Sequence, residues 1–254
     1  MIETATPTGA VALVTGANKG IGFQVARQLA ERGLTVVVGA RDPERGRAAA
    51  DEIRAAGADA HPVTLDVTDP ATVRQAAGWI GERFGRLDVL VNNAGAAESP
   101  GHRPSTADLD LVRGVFEANV FGVLTVTNAL LPLLRRSAAP RIVNVSSGMG
   151  SLAAQSSPDS YLAKVPATAA YPASKSALNA LTVQYAKELR GDGFLVNAAS
   201  PGPCDTDLTK ELQRAGFPMA RTAAQGAAVI VELATLGPDG PTAGFFGEDG
   251  PVPW

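Results

Sequence analysis

Short runs of consecutive apolar residues alternate along this chain with longer stretches in which apolar residues recur every three or four positions. The first run, Val11-Ala12-Leu13-Val14, stops at Gly16. Ile21, Val25, Leu29 and Ala30 then share one helical face, and Gly33 follows at the C′ position that helix ends favour. Thr35-Val36-Val37-Val38 is β-branched and predicts a second strand, 43–56 a helix closed by Gly57, and Pro62-Val63-Thr64-Leu65 a third strand. Asp69 is placed to cap a helix carrying Val73, Ala77, Ile80 and Phe84, and Leu87-Asp88-Val89-Leu90-Val91 makes a fourth strand. The same rhythm predicts helices over 108–134, 171–190 and 222–236, with strands over 141–145 and 194–198 between them.

Strands written as unbroken apolar runs are buried on both faces, the mark of a parallel sheet. Alternating with helices, they imply an α/β fold, a Rossmann-type doubly wound sheet of about seven strands with helices on both faces. No linker divides the chain, so one domain over 1–254 is expected. Two segments break the rhythm, 96–106 and 148–170, the latter longer than a connection needs. Both follow the carboxyl ends of strands, where ligands bind in such sheets, and with 206–220 they are expected to wall a substrate pocket.

Composition narrows the function. Of 254 residues, 45% are hydrophobic and 19% charged, enough for a packed core and unlike a disordered or fibrous chain. Lys plus Arg (22) against Asp plus Glu (25) leaves −3, with no basic excess for nucleic acid. One cysteine, Cys204, and two histidines, His61 and His102, leave no internal disulfide and little for a metal site. The first residues lack the basic and apolar regions of a secretory signal, and no membrane-spanning run is expected, so a cytoplasmic location is.

Candidate chemistry begins at Thr15-Gly16-Ala17-Asn18-Lys19-Gly20-Ile21-Gly22, between the first strand and the first helix. Gly16 permits the tight turn, Gly20 lets backbone approach a pyrophosphate, and Gly22 lets the helix sit close to the sheet. The helix N-terminus then offers N–H groups and a positive dipole end to phosphate. An NAD site carries an acid at the end of the second strand, where this chain has Ala40 followed by Arg41. Lys19 and Arg41 could together clamp a 2′-phosphate, so NADP(H) is the expected cofactor. Asp42 is read as a solvated or helix-capping group.

With these residues in hand the chain resembles the short-chain dehydrogenase/reductases over nearly its whole length, and within them the carbonyl reductase-like branch. The resemblance rests on the glycine loop, Asn92-Asn93-Ala94-Gly95, Asn119, Ser146-Ser147, Tyr171-Pro172-Ala173-Ser174-Lys175, and Pro201-Gly202 followed by Thr206. It implies a catalytic set of Asn119, Ser147, Tyr171 and Lys175. Tyr171 would exchange the proton at the substrate oxygen, Ser147 orient the carbonyl, Lys175 bond the nicotinamide ribose, and Asn119 hold a relay water. It further implies Gly16, Asn18, Lys19, Gly20, Ile21, Gly22, Arg41, Asp66, Val67, Asn93, Pro201, Gly202 and Thr206 at the cofactor, together with Tyr171 and Lys175. Asp66 and Val67 would lie at the adenine, Asn93 at the ribose and Thr206 at the carboxamide. Tyr171 and Lys175 are four apart and so share a helical face, where a cation would lower the phenol from its usual value near 10.

The chain departs from the family pattern in placing 23 residues between Ser147 and Tyr171, so both a monomer and a homo-oligomer stay open. Tyr161-Leu162-Ala163-Lys164 imitates the catalytic pair at the wrong spacing, and Trp254 with Phe245 and Phe246 is read as tail packing. The expected partner is a small-molecule carbonyl substrate. A dedicated biosynthetic ketoreductase and a non-catalytic NADP(H)-binding sensor remain the alternatives.

Overall fold

The structure, a computed structural model, describes residues 9–99 and 102–254. Eight strands form one sheet in the order β3-β2-β1-β4-β5-β6-β7-β8. These are β1 Val11–Thr15, β2 Thr35–Ala40, β3 Ala60–Thr64, β4 Val89–Asn92, β5 Arg141–Val145, β6 Leu195–Ala199, β7 Phe245–Gly247 and β8 Gly250–Pro251. All neighbours are parallel except β7 and β8. Strand order therefore reverses beside β1 and β4, which opens a crevice at their carboxyl ends.

The helices are α1 Gly20–Glu31, α2 Pro43–Ala55, α3 Pro70–Phe84, α4 Leu109–Phe116, α5 Gly122–Leu134, α6 Leu152–Ser156, α7 Tyr171–Leu189, α8 Lys210–Arg214 and α9 Ala223–Ala234. Successive strand residues serve opposite faces, as a pleated strand requires. In β1, Ala12 and Val14 join Val25, Leu29, Ile53 and Ile230 in one core, while Val11 and Leu13 join Ile80, Leu130, Leu134 and Leu189 in the other. Each fully buried Leu or Ile of these two layers contributes about 1.5–3 kcal/mol relative to exposure.

Three local departures have physical causes. β3 starts at Ala60, before the expected Pro62. It is an edge strand, where a proline's missing N–H costs no ladder bond. The expected helix over 108–134 is continuous but not uniform, because residues Glu117–Phe121 form a π turn between α4 and α5. By length and composition Leu109–Leu134 could also cross a bilayer, contrary to the expectation of no such run. Val126, Leu130 and Leu134 are nonetheless buried in the core beside Ile80 of α3. Finally, 148–170 is not a plain loop: it holds a 3-10 turn at Gly148–Gly150, the short α6, and another 3-10 turn at Tyr161–Lys164.

Candidate active site

Side chains from four segments meet at the carboxyl ends of β4 and β5. Ser146 and Ser147 leave β5 pointing apart. Ser146 is buried and its Oγ donates to Asn179 Oδ1 at 2.6 Å, so it is occupied in holding α7. Ser147 Oγ accepts from Met149 N at 3.2 Å and faces the Tyr171 phenol. One turn along α7, Lys175 is 4% exposed, donates from Nζ to the Val145 carbonyl at 2.8 Å, and lies 5.7 Å from the Tyr171 ring centroid.

Asn119 sits in the π turn, fully buried. Its Nδ2 donates to Ala96 O at 2.8 Å and to Ser174 Oγ at 2.9 Å, and its Oδ1 accepts from Ala96 N at 2.8 Å. A Cβ on Gly95 would stand 2.9 Å from that Oδ1 and 3.7 Å from Lys175 Nζ. The wide turn thus brings the carboxamide across to the exit of β4, the kind of use to which π bulges are commonly put. Below it, Asn92 Nδ2 donates to Thr127 Oγ1 (3.1 Å) and Asn144 Oδ1 (2.9 Å), and Asn144 Nδ2 donates to Thr182 Oγ1 (2.9 Å). This buried polar network fixes β4, β5, α5 and α7 relative to one another.

Electrostatics here depart from the sequence reading. Burial pushes the Tyr171 phenol up, the Ser147 hydroxyl pulls it down and Glu98 pushes it up again. The expected lowering by Lys175 is not seen: burial outweighs it at the phenol, and burial also brings Lys175 down to about 8.

At the other end of the crevice lies the glycine loop. Gly16 lies at φ +65°, and a Cβ there would stand 3.0 Å from Ala94 Cα. A Cβ on Gly22 would stand 2.4 Å from Asn93 Nδ2 and 2.5 Å from Gly16 O, so this glycine makes room for the loop itself and for Asn93, not for the sheet as expected. Asn93 Nδ2 donates to Thr15 O at 2.9 Å and Gly16 O at 3.3 Å, which ties the loop to β4. Lys19, the N-cap of α1, supplies no side-chain cap, which leaves the first-turn N–H groups beside Asn18, Gly20 and Ile21 for a ligand.

The two expected cations differ. Arg41 is exposed at the exit of β2, and no carboxylate among the described residues pairs with it. Asp42 is a helix cap, Oδ1 accepting from Glu44 N at 3.0 Å and Arg45 N at 3.2 Å. Lys19 is instead paired with Asp207 at 2.5 Å, across the crevice on the segment after β6. Lys19 and Lys210 together hold the Asp207 carboxyl down at about 2. The two-cation clamp is therefore half built: Arg41 is available and Lys19 is engaged by a carboxylate.

The remaining expected residues are held by contacts of their own. Asp66 Oδ1 accepts from Thr68 N (2.9 Å) and Thr68 Oγ1 (2.7 Å), and Val67 packs on Gly122, whose Cβ would stand 2.9 Å from Val67 Cγ2. Pro201 O receives Cys204 Sγ at 3.3 Å, and Gly202 lies under Arg221. Thr206 heads the turn over the glycine loop, its Cγ2 3.8 Å from where a Gly20 Cβ would be. Cys204 is buried, which pushes its thiol up and unsuits it as a nucleophile. Tyr161 is exposed, with its Oη 3.6 Å from where a Gly148 Cβ would be, beside Ser147. Trp254 stacks on Phe245 with centroids 5.4 Å apart, the tail packing expected of it.

Glu98 is the residue that sequence reasoning missed. Its Oε1 accepts from Ala170 N at 2.8 Å and Tyr171 N at 3.0 Å, and its Oε2 from Tyr171 N at 2.8 Å. Nothing local marks it, since its partners lie 72 and 73 positions away.

Comparison with known proteins fits this geometry. The family model described as short chain dehydrogenase matches residues 10–216. A short-chain dehydrogenase, anuI, of Penicillium roqueforti is 38% identical over 238 residues, covering 92% of this chain and 91% of that protein. Among solved structures, NADPH-bound carbonyl reductase from chicken fatty liver superposes with a TM-score of 0.82 at 28% identity, covering 98% of this chain and 100% of that one. Salutaridine reductase from Papaver somniferum gives a TM-score of 0.77 at 30% identity, covering 94% and 99%.

Proposed function

Since the chain belongs to the short-chain dehydrogenase family, we propose that it carries out the NADPH-dependent reduction of a ketone or aldehyde to an alcohol. The observation that carries this reading is the Tyr171 phenol flanked by the Ser147 hydroxyl and by the Lys175 ammonium one turn away. A purely cofactor-binding sensor has no use for that constellation, and an oxidoreductase does.

The residues present fit the cofactor. Gly16 and Gly22 let the loop close against Ala94 and Asn93, and the loop leads into the N-terminus of α1, which has no side-chain cap and is a site for the pyrophosphate. Ala40 ends β2 where an acid would bond a ribose hydroxyl, and the exposed Arg41 beside it supports a 2′-phosphate and hence NADPH over NADH. The NADPH-bound carbonyl reductase from chicken fatty liver supports the same choice. Asp66 and Val67 are assigned to the adenine, Asn93 to the adjoining ribose, and Pro201, Gly202 and Thr206 to the nicotinamide end.

When bound, the cofactor supplies a hydride to the carbonyl carbon. Ser147 donates a hydrogen bond to the carbonyl oxygen and fixes its direction toward Tyr171. Tyr171 gives its phenolic proton to that oxygen as negative charge builds there. Lys175 then returns a proton to the phenolate, and its side chain also holds the nicotinamide ribose. Asn119 fixes the Ala96 backbone at the pocket entrance and lies on the proton path from Lys175 outward. The 148–170 and 206–220 segments, with Tyr161 beside Ser147, wall the substrate site.

The test is nicotinamide absorbance followed with NADPH or NADH against a panel of ketones and aldehydes. Turnover with NADPH well above NADH supports the reading. NADPH binding without turnover across the panel overturns it in favour of the sensor.

A further inference from the structure

The chain enters its catalytic helix badly equipped to start one. The N-cap position of α7 is Ala170, which has no side-chain acceptor, and Pro172 has no N–H. Two backbone donors, Ala170 N and Tyr171 N, are left at the point where the proton-exchanging phenol is attached. Both are taken by one carboxylate, that of Glu98, at 2.8–3.0 Å.

We infer that Glu98 is the positioning residue for Tyr171: a carboxylate from the pocket loop that supplies the missing cap of α7 and fixes where the phenol stands. The inference deepens the proposed function, since it rests on Tyr171 as the proton donor.

The loop that carries Glu98 is tied to α7 on both sides of it. Ala96 is held by Asn119, which also bonds Ser174, and His102 O accepts from Ala169 N at 3.0 Å. Ala96, Glu98 and His102 are thus each bonded to the start of α7 or to Asn119 beside it, with Glu98 between the other two. A displaced helix start displaces the phenol, and small misplacements of a reacting group are costly in rate.

The carboxylate has a second effect through its charge. The N-terminal end of α7 and the Lys175 cation both favour phenolate, and a negative charge seated on that helix end opposes them. At the phenol itself burial and Glu98 push upward and the Ser147 hydroxyl pulls downward, with Lys175 5.7 Å from the ring centroid. Glu98 thus favours the protonated phenol, the form that gives a proton in the reductive direction.

The experiment compares Glu98→Ala and Glu98→Gln with the parent in the full chain, using three readouts. These are carbonyl reduction, backbone amide exchange at Ala170 and Tyr171, and ultraviolet titration of the tyrosines. Glu98→Ala removes the cap and is expected to lower kcat about 10–100-fold while the KM for NADPH stays within about twofold. Its Ala170 and Tyr171 amides should exchange about fivefold faster. Glu98→Gln keeps one acceptor oxygen without the charge. It should retain most of the amide protection and of kcat, while the Tyr171 phenol titrates at lower pH. With three tyrosines in the chain, Tyr161→Phe and Tyr185→Phe backgrounds identify the Tyr171 signal. Unchanged amide exchange in Glu98→Ala overturns the inference, as does an equal loss of kcat in both variants with the amides protected, which would mark direct substrate contact. If the parent reduces no carbonyl compound but the amides and the phenol respond as stated, the proposed function fails and the positioning stands.

Discussion

The chain contains two tyrosine–lysine pairs in neighbouring segments, and their surroundings differ sharply. Tyr161 and Lys164 lie three apart in a single 3-10 turn, and Tyr161 is 64% exposed. Tyr171 and Lys175 lie four apart on a helix of 19 residues, where one helical face carries both. What separates the pairs is less the lysine than everything else: Ser147, Asn119 and Glu98 converge on the second pair from distant parts of the chain. Two other look-alikes repeat the lesson. Ser146 is spent on Asn179 while Ser147 faces the phenol, and Lys19 is held by Asp207 while Arg41 pairs with no carboxylate among the described residues. In each case the surroundings, not the residue type, make the difference.

Substitution within each pair tests that lesson. Tyr171→Phe is expected to lower carbonyl reduction by about 10²–10⁴-fold with NADPH binding retained, whereas Tyr161→Phe stays within about threefold of the parent. Equal losses from both would erase the distinction. Ser147→Ala is expected to cost about 10²–10³-fold in kcat. Ser146→Ala should instead leave kcat nearly intact and lower stability to urea by about 1 kcal/mol, through the lost bond to Asn179.

Lysine exchange separates activity from stability. Burial lowers Lys175 from 10.5 to about 8, so between these values the unfolded chain binds more protons than the folded one. Stability then rises with pH across that window, and the burial cost is fully present below it. Lys175→Met should abolish turnover yet stabilise the fold by roughly 1–2 kcal/mol at neutral pH and flatten its pH dependence. Lys164→Met should change neither, and urea titrations at neutral and alkaline pH provide the check. The smallest contrast is between the two cations. Arg41→Ala is expected to raise the KM for NADPH about tenfold and leave that for NADH unchanged. Lys19→Ala should do less, because its ammonium is already engaged.

Much of this fold is legible in local signals of the sequence. The apolar runs marked the buried parallel strands, Asp42 and Asp69 stood at helix starts and do cap them, and the glycine loop lay between a strand and a helix. What stayed hidden depends on long-range geometry. A π turn at Glu117–Phe121 differs from regular helix by one residue in a long apolar stretch, too little for periodicity to register. The pairing of Lys19 with Asp207 spans 188 positions, and Glu98 looks like any polar loop residue until α7 is laid beside it. The short helix within 148–170 is built largely from alanine and serine, whose pattern shows no face.

The π turn has a consequence for how the long helix came to be shaped. Each residue advances a regular helix by about 100°, so deleting one residue from the wide turn would let the hydrogen-bond ladder run uninterrupted. The same deletion would leave α4 and α5 in line and redirect only the side chains of the turn, which would carry Asn119 away from Ala96 and Ser174. A more regular backbone would thus lose the carboxamide that ties the exit of β4 to α7, so the irregularity is what couples those two elements.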